Sequence, residues 1–309
     1  MASQAVPHPS TDRALRRLTS EFGRDPVLVD ATREILTVSK DKNELLSSDA
    51  LDKLRAFYNK YKGPFQSVGF FIIDKDYLNL ASSRDENIGI ISVIYNERPE
   101  LMKKVFEGNS VFIPPIESDV HLDAVESNGS LSKPPTMFFV TPIEGASGEI
   151  LAALAIRIDP TQGFSRVMQL SRIGKTGESY VFDHNGRLLS ESRFKSDLRT
   201  IGLISYDQED ILELEIRDPG GNMMTGFRSD IPRGQQPLTV MAADAIEGKS
   251  GTHMTGYRDY RGVPVYGSWL WDDQLGLGLA FDQGLFQPGA GLLELAQFGR
   301  GIAGQFGGL

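Results

Sequence analysis

The chain of 309 residues has no cysteine, which excludes disulfides, thiolate metal sites and a cysteine nucleophile together. It also lacks a long apolar run. The most apolar stretch, Ile150 to Ile158, is interrupted by Arg157 and falls far short of the roughly 20 residues that span a bilayer. The opening MASQAVPHPSTDRALRR has no apolar centre of the kind a secretory signal carries. Basic residues are not in excess. Lys and Arg number 32 against 41 Asp and Glu, a net charge of -9, which argues against a nucleic-acid backbone as partner. The four histidines are scattered, none with a partner at the spacing of metal ligands, so no metal site is nominated.

What is present includes several imitations of chemistry. Gly174-Lys175-Thr176 resembles the end of a phosphate-binding loop, but the required earlier glycine is replaced by Gln169, inside an expected helix. Gly276-Leu277-Gly278 lies within an apolar strand rather than at a strand-to-helix turn, where glycine permits a close approach of backbone or a neighbouring aromatic. Asn128-Gly129-Ser130 satisfies the glycosylation pattern by chance. No G-x-S-x-G element occurs, and no pair among the many carboxylates can be singled out for acid–base work. The expectation is a protein without enzyme activity and without a cofactor.

The apolar spacing predicts helix over 11–62, with a restart at Asp25-Pro26 and a stop at Gly63-Pro64. Ser67 to Ser83 reads as strand, turn, strand, and Pro99 to Gly108 as a short helix. Val111 to Pro135, with Pro114-Pro115, reads as a long irregular loop. Strands follow at Met137–Ile143 and Glu149–Ile158, then a helix from Asp159-Pro160 through Leu170. A second round has a hairpin at Tyr180–Ser190, a helical stretch at Leu238–Glu247, and strands at Gly251–Tyr257, Val263–Trp271 and Leu275–Phe281.

The two rounds share a pattern, D-x-[DN]-x-x-x-L-[AS]-x-S-R, from Asp74 to Arg84 and from Asp183 to Arg193. Both close alike, Ala155 to Asp159 against Leu279 to Asp282. A repeat about a hundred residues long marks two copies of one domain rather than a solenoid. The fold class is α+β: an N-terminal helical segment (1–64), then two modules (65–160 and 161–283), each a mostly antiparallel sheet flanked by helices. Residues 284–309 hold eight glycines and read as a tail, either disordered or foreign to the natural chain, with a short helix at Leu292–Phe298 as the alternative.

Aromatics with a few polar groups on loops over a rigid scaffold are what a small-molecule pocket requires. In the first module these are Arg84, Tyr95, Arg98, Phe112, Thr136, Phe138 and Arg157. Arg157 is the sharpest, because a charge within Ile156-Arg157-Ile158 must be exposed, paired or functional.

Five stretches carry a family resemblance: GFFIIDKDYLNLASSRDENIG, VFIPPIESDV, PTMFFVTPI, GKTGESYVFDHNGRLLSESRF and YRDYRGVPVYGSWLWDDQLGLGLAFD. In this order, over residues 65–283, they resemble the double Cache sensor region of bacterial transmembrane receptors. The resemblance implies a long N-terminal helix, a membrane-distal PAS-like module that holds the ligand, a membrane-proximal one, and a homodimer. It also implies a place on the periplasmic or extracellular face of the membrane, reached through segments absent from this chain. Amino-acid-binding members carry Arg-x-Trp-Tyr and an Asp on the last distal strand. Here Arg98 is followed by Pro99, Glu100 and Leu101, and the strand position falls on Arg157, so the charge preference inverts toward a small anion such as a carboxylate. The rival reading is a ligand-free protein that self-assembles through the helix and the tail.

Overall fold

The structure is a computed structural model, and it describes residues 21–63, 67–119, 133–161, 165, 168, 174–206 and 208–285. The glycine-rich tail from 286 on, the start of the N-terminal segment (1–20) and most of the helix expected after Asp159-Pro160 lie outside them. The described residues divide into two compact units, one running to Thr161 and the other starting at Ser165.

In the first unit the expected helical stretch is broken into α1 (Pro26–Thr37), α2 (Lys42–Leu46) and α3 (Asp49–Tyr61). Each start is chemically marked. Asp25, Asp41 and Ser48 cap the free N–H groups of the three first turns, and Pro26 opens α1, where its missing N–H costs nothing. The restart at Asp25-Pro26 is therefore present, and further breaks lie at 38–41 and 47–48.

The sheet of this unit comprises β1 (Ser67–Ile73), β2 (Asn79–Ser82), β3 (Val111–Glu117), β4 (Pro135–Glu144) and β5 (Ile150–Ile158) in the order β2-β1-β5-β4-β3, all antiparallel. Two helices, α4 (Val93–Glu97) and α5 (Pro99–Phe106), connect β2 to β3. β3 corrects the sequence reading of a loop at Val111. Proline is excluded from central strands because it cannot donate to the ladder, but β3 is an edge strand, and its pairing with β4 slips between Ile113 and Ile116, across Pro114-Pro115.

The alternation of side chains gives the sheet two different faces. Phe71, Ile73, Phe138, Val140, Ala153 and Ala155 pack with Val93, Leu101, Met102 and Val105 of α4 and α5. Phe70, Leu154 and Ile156 point the other way, toward Leu28, Leu54 and Tyr58 of α1 and α3.

In the second unit, β6 (Glu178–Asp183), β7 (Gly251–Arg258), β8 (Pro264–Asp272) and β9 (Leu277–Gly284) form an antiparallel sheet ordered β6-β9-β8-β7, with α6 (Lys195–Thr200) and α7 (Val240–Ile246) between β6 and β7. This is the first sheet without its β2. The expected hairpin partner of β6 is reduced to a single bridge between Phe182 and Leu188. Gly278, opposite Phe182, has no side chain because a Cβ there would stand 2.3 Å from the Phe182 ring.

The repeated aspartate signature is a repeated turn. Asp74 Oδ1 accepts from the Asp76 and Leu78 N–H groups, and Asp183 Oδ1 accepts from those of Asn185 and Arg187. A third copy, missed in the sequence, is at Asp259, which accepts from Arg261 and Val263. In each, the fourth residue is left-handed: Gly186 (φ 75), Gly262 (φ 77) and, without glycine's freedom, Tyr77 (φ 64). Each buried aspartate also pairs with a cation through its other oxygen: Lys40 at 2.6 Å, Arg187 at 2.9 Å and Arg261 at 2.7 Å.

Candidate functional site

β5 is the central strand of the first sheet and places Arg157 between Gly69 of β1 and Phe138 of β4, its register partners. Arg157 is 2% exposed and lies on the α4–α5 face. Its guanidinium is within 5.0 Å of the Phe71 ring centroid and 5.3 Å of that of Phe138. Nη2 donates to Asp119 Oδ1 at 2.8 Å, and Asn87 donates to the other Asp119 oxygen. Gly69 leaves room for this arrangement, because a Cβ there would stand 2.8 Å from Ser83 Oγ and 3.7 Å from Arg157 Cδ. Burial lowers the Arg157 pKa from its ordinary value. Asp119 opposes that shift, and the charge of Arg84 adds to it.

Several buried polar atoms of this unit have no hydrogen-bond partner among the described residues: Arg157 Nε, Asn87 Oδ1, Thr136 Oγ1 and, at the start of α4, Ser92 Oγ. A buried polar group without a partner costs about 1–3 kcal/mol. Such groups in a folded protein are met by ordered water or by a ligand.

Of the residues singled out in the sequence, the structure therefore brings together Arg157, Phe138 and Thr136, with Arg84 in electrostatic reach of Arg157. Tyr95 packs at the border of the core cluster that contains Phe71 and Phe138, stacked on Tyr77 with ring centroids 3.8 Å apart. Arg98 joins α4 to α5 and donates to the Glu97 carbonyl. Phe112 faces the other way, against Phe139 at 5.2 Å. Phe71, Asn87, Ser92 and Asp119 went unnoticed. Phe71 lay within the quoted GFFIID run, but nothing local distinguishes Asp119 or Asn87 from other polar loop residues.

A small cavity of about 20 Å³ lies on the opposite face, lined by Leu28, Leu54, Tyr58, Phe70, Leu154 and Ile156. It is almost wholly apolar, and Ser67 at its border is already bonded to Tyr58 and to the Arg157 carbonyl. The unpartnered Nε of Arg157 and Oγ1 of Thr136 belong instead to the α4–α5 side of the sheet. Among the described residues, the acidic group of Glu191, Glu209 and Asp210 is compact enough to surround a cation, and the ammonium of Lys195 is seated there, 3.5 Å from Glu191 and 3.6 Å from Asp210.

The second sheet fills the same positions differently. Its register aligns Glu178 and Asp282 with Gly69 and Arg157, two residues away from the correspondence the sequence alone suggested, in which Asp159 matched Asp282.

Two PAS-like sheets in one chain, each flanked by helices, define the class of tandem PAS-like modules. The particular fold is that of the double Cache sensor domain. The sensor domain of the V. cholerae histidine kinase DctB aligns over 90% of this chain and 92% of its own, at 15% identity and a TM-score of 0.50. The ligand-binding domain of the Campylobacter jejuni chemoreceptor Tlp3, solved with 4-methylisoleucine, aligns over 92% and 90%, at 10% identity and a TM-score of 0.46. No protein-family profile matches the chain, and no curated protein does.

Proposed function

We propose that this chain is the ligand-sensing region of a bacterial signal-transduction receptor. It binds a small anionic molecule on the Arg157 face of the first, membrane-distal module (65–160), with residues 161–283 as the membrane-proximal module. The observation that carries the reading is the buried guanidinium, with Nε unpartnered among the described residues, lying over the adjacent Phe71 and Phe138 rings. A guanidinium offers donors in a fixed fork that matches a carboxylate, and apolar walls strengthen the attraction. Asp119 holds Nη2 in the structure, so a carboxylate binds at the remaining edge or displaces Asp119.

The protein is non-catalytic and acts on the periplasmic or extracellular side of the inner membrane as part of a membrane receptor. Ligand binding stabilises one arrangement of the distal module and is relayed through a helical dimer. That shift is bounded by the ligand's differential affinity for the two states. The alternative, a ligand-free self-assembling protein, leaves the unpartnered polar atoms unexplained.

A thermal-shift screen with small carboxylates, amino acids and amines tests the proposal, since a ligand that binds only the folded state raises its apparent stability by mass action. Carboxylates should stabilise the parent protein and not Arg157→Ala. Amino-acid binding that survives Arg157→Ala would refute the anionic reading.

A further inference from the structure

The second unit buries carboxyl groups that the sensing site does not use. Glu178 on β6 and Asp282 on β9 are direct register partners, so their side chains stand side by side on one sheet face, and both are almost fully buried. Tyr180 donates to Asp282 Oδ2 at 2.6 Å, and Tyr257 reaches across β8 to donate to Oδ1. The crossing takes place over Gly267, where a Cβ would stand 2.4 Å from the Tyr257 hydroxyl and 2.5 Å from Asp282. Glu178 accepts from the Tyr260 hydroxyl at 2.6 Å, the Ser192 hydroxyl at 2.8 Å and the Arg193 N–H at 2.7 Å. Each of these donors is neutral.

The charged groups around it are committed elsewhere. Arg261, the nearest buried cation, binds Asp259 through Nε at 3.0 Å and Nη2 at 2.7 Å, stacks on Phe194, and lies 3.7 Å from Asp197 of α6. Its charge reaches Glu178 only through space. The Arg193 guanidinium donates to the Gly174 and Gly177 carbonyls. Arg233 donates to the Glu215 carbonyl and the Gln236 side chain, and its charge acts on Asp259 and Tyr260. His253 meets Tyr257 edge-on, at 5.6 Å between ring centroids. Asp259, also buried, adds a third negative charge that acts on Asp282.

Two carboxylates in contact with neutral donors only, away from water, cannot both stay ionised. We infer that the Glu178–Asp282 pair is a proton-binding site, which holds one proton in the folded second unit and releases it as pH rises. Burial pushes the Asp282 carboxyl up to about 7 and raises Glu178 as well. The two groups titrate as a pair. The linkage has a definite sign. A carboxyl whose pKa is higher folded than unfolded adds stability below its unfolded pKa, near 3.8 for Asp282, and that stability is lost as pH rises through about 7. For one proton, the folding equilibrium constant falls about tenfold per pH unit across that window.

Infrared difference spectroscopy of the full chain tests this, because a buried protonated carboxyl has a carbonyl band distinct from that of a carboxylate. The band should disappear in one step on raising the pH through about 7, and Asp282→Asn or Glu178→Gln should alter it. In Tyr257→Phe, which removes one donor to the ionised form, the midpoint should move upward by about one pH unit, a tenfold change in proton affinity. This variant keeps the inference testable if the carboxamide variants fail to fold. A chain with no protonated-acid band above pH ~5, a band indifferent to both carboxamide substitutions, or a midpoint unmoved in Tyr257→Phe would overturn it.

Discussion

Asp119→Asn keeps the shape of the side chain that holds Arg157 and removes its charge. Arg157 is 2% exposed and Asp119, 2.8 Å away, is the acid in contact with it. Leaving one half of a buried pair costs about 3–5 kcal/mol, because an uncompensated charge stays out of water. The Phe71 and Phe138 rings offset part of this, about 0.5 kcal/mol each. The expected net loss is therefore about 2–4 kcal/mol, a large share of a typical folding free energy of 5–15 kcal/mol. Arg157→Met removes the other charge. In the double variant no buried charge remains, so its loss should fall short of the sum of the singles by about 1–3 kcal/mol. Urea unfolding followed by circular dichroism measures the cycle, while fluorescence from Trp269 and Trp271, both in the second unit, marks that unit's transition separately. If the three losses add to within about 0.5 kcal/mol, the pair does not hold the site together, and the account of Arg157 is wrong.

Three further outcomes are expected. Phe138→Ala should weaken carboxylate binding about tenfold, a loss of about 1.4 kcal/mol, whereas Phe112→Ala, on the opposite face, should leave affinity within about twofold; calorimetry compares the two. Gly278→Ala drives a methyl into the Phe182 ring and should cost about 1–3 kcal/mol in denaturant unfolding. Asp183→Ala leaves the Asn185 and Arg187 N–H groups without their acceptor and should cost about 1–3 kcal/mol by the same assay.

The modules and most strands were legible because their signals are local. An aspartate followed by a left-handed fourth residue imposes the turn wherever it occurs, and the flanking apolar runs supply the strands. Asp259-x-x-Gly262 carried the same signal as Asp183-x-x-Gly186 and could have been read. β3 was hidden by Pro114-Pro115, since a proline pair argues against a strand until the strand is known to lie at an edge. Arg157 stood out as a charge in an apolar run, but Asp119, 38 residues earlier, did not. Its role comes from the sheet topology, which brings the residue just after β3 to Arg157 on β5 although β4 lies between the two strands. The correspondence of Arg157 with Asp282 was likewise invisible to residue identity, because the equivalent positions carry opposite charges. Only the strand register reveals it.

The central claim is that Arg157 receives the ligand, and its Nε–H reports this directly because no group among the described residues accepts from it. In a ¹H–¹⁵N spectrum the Arg157 Nε–H signal is assigned by its loss in Arg157→Lys. A carboxylate that stabilises the protein should shift this signal in proportion to occupancy. Saturable binding that leaves it unmoved would contradict the account.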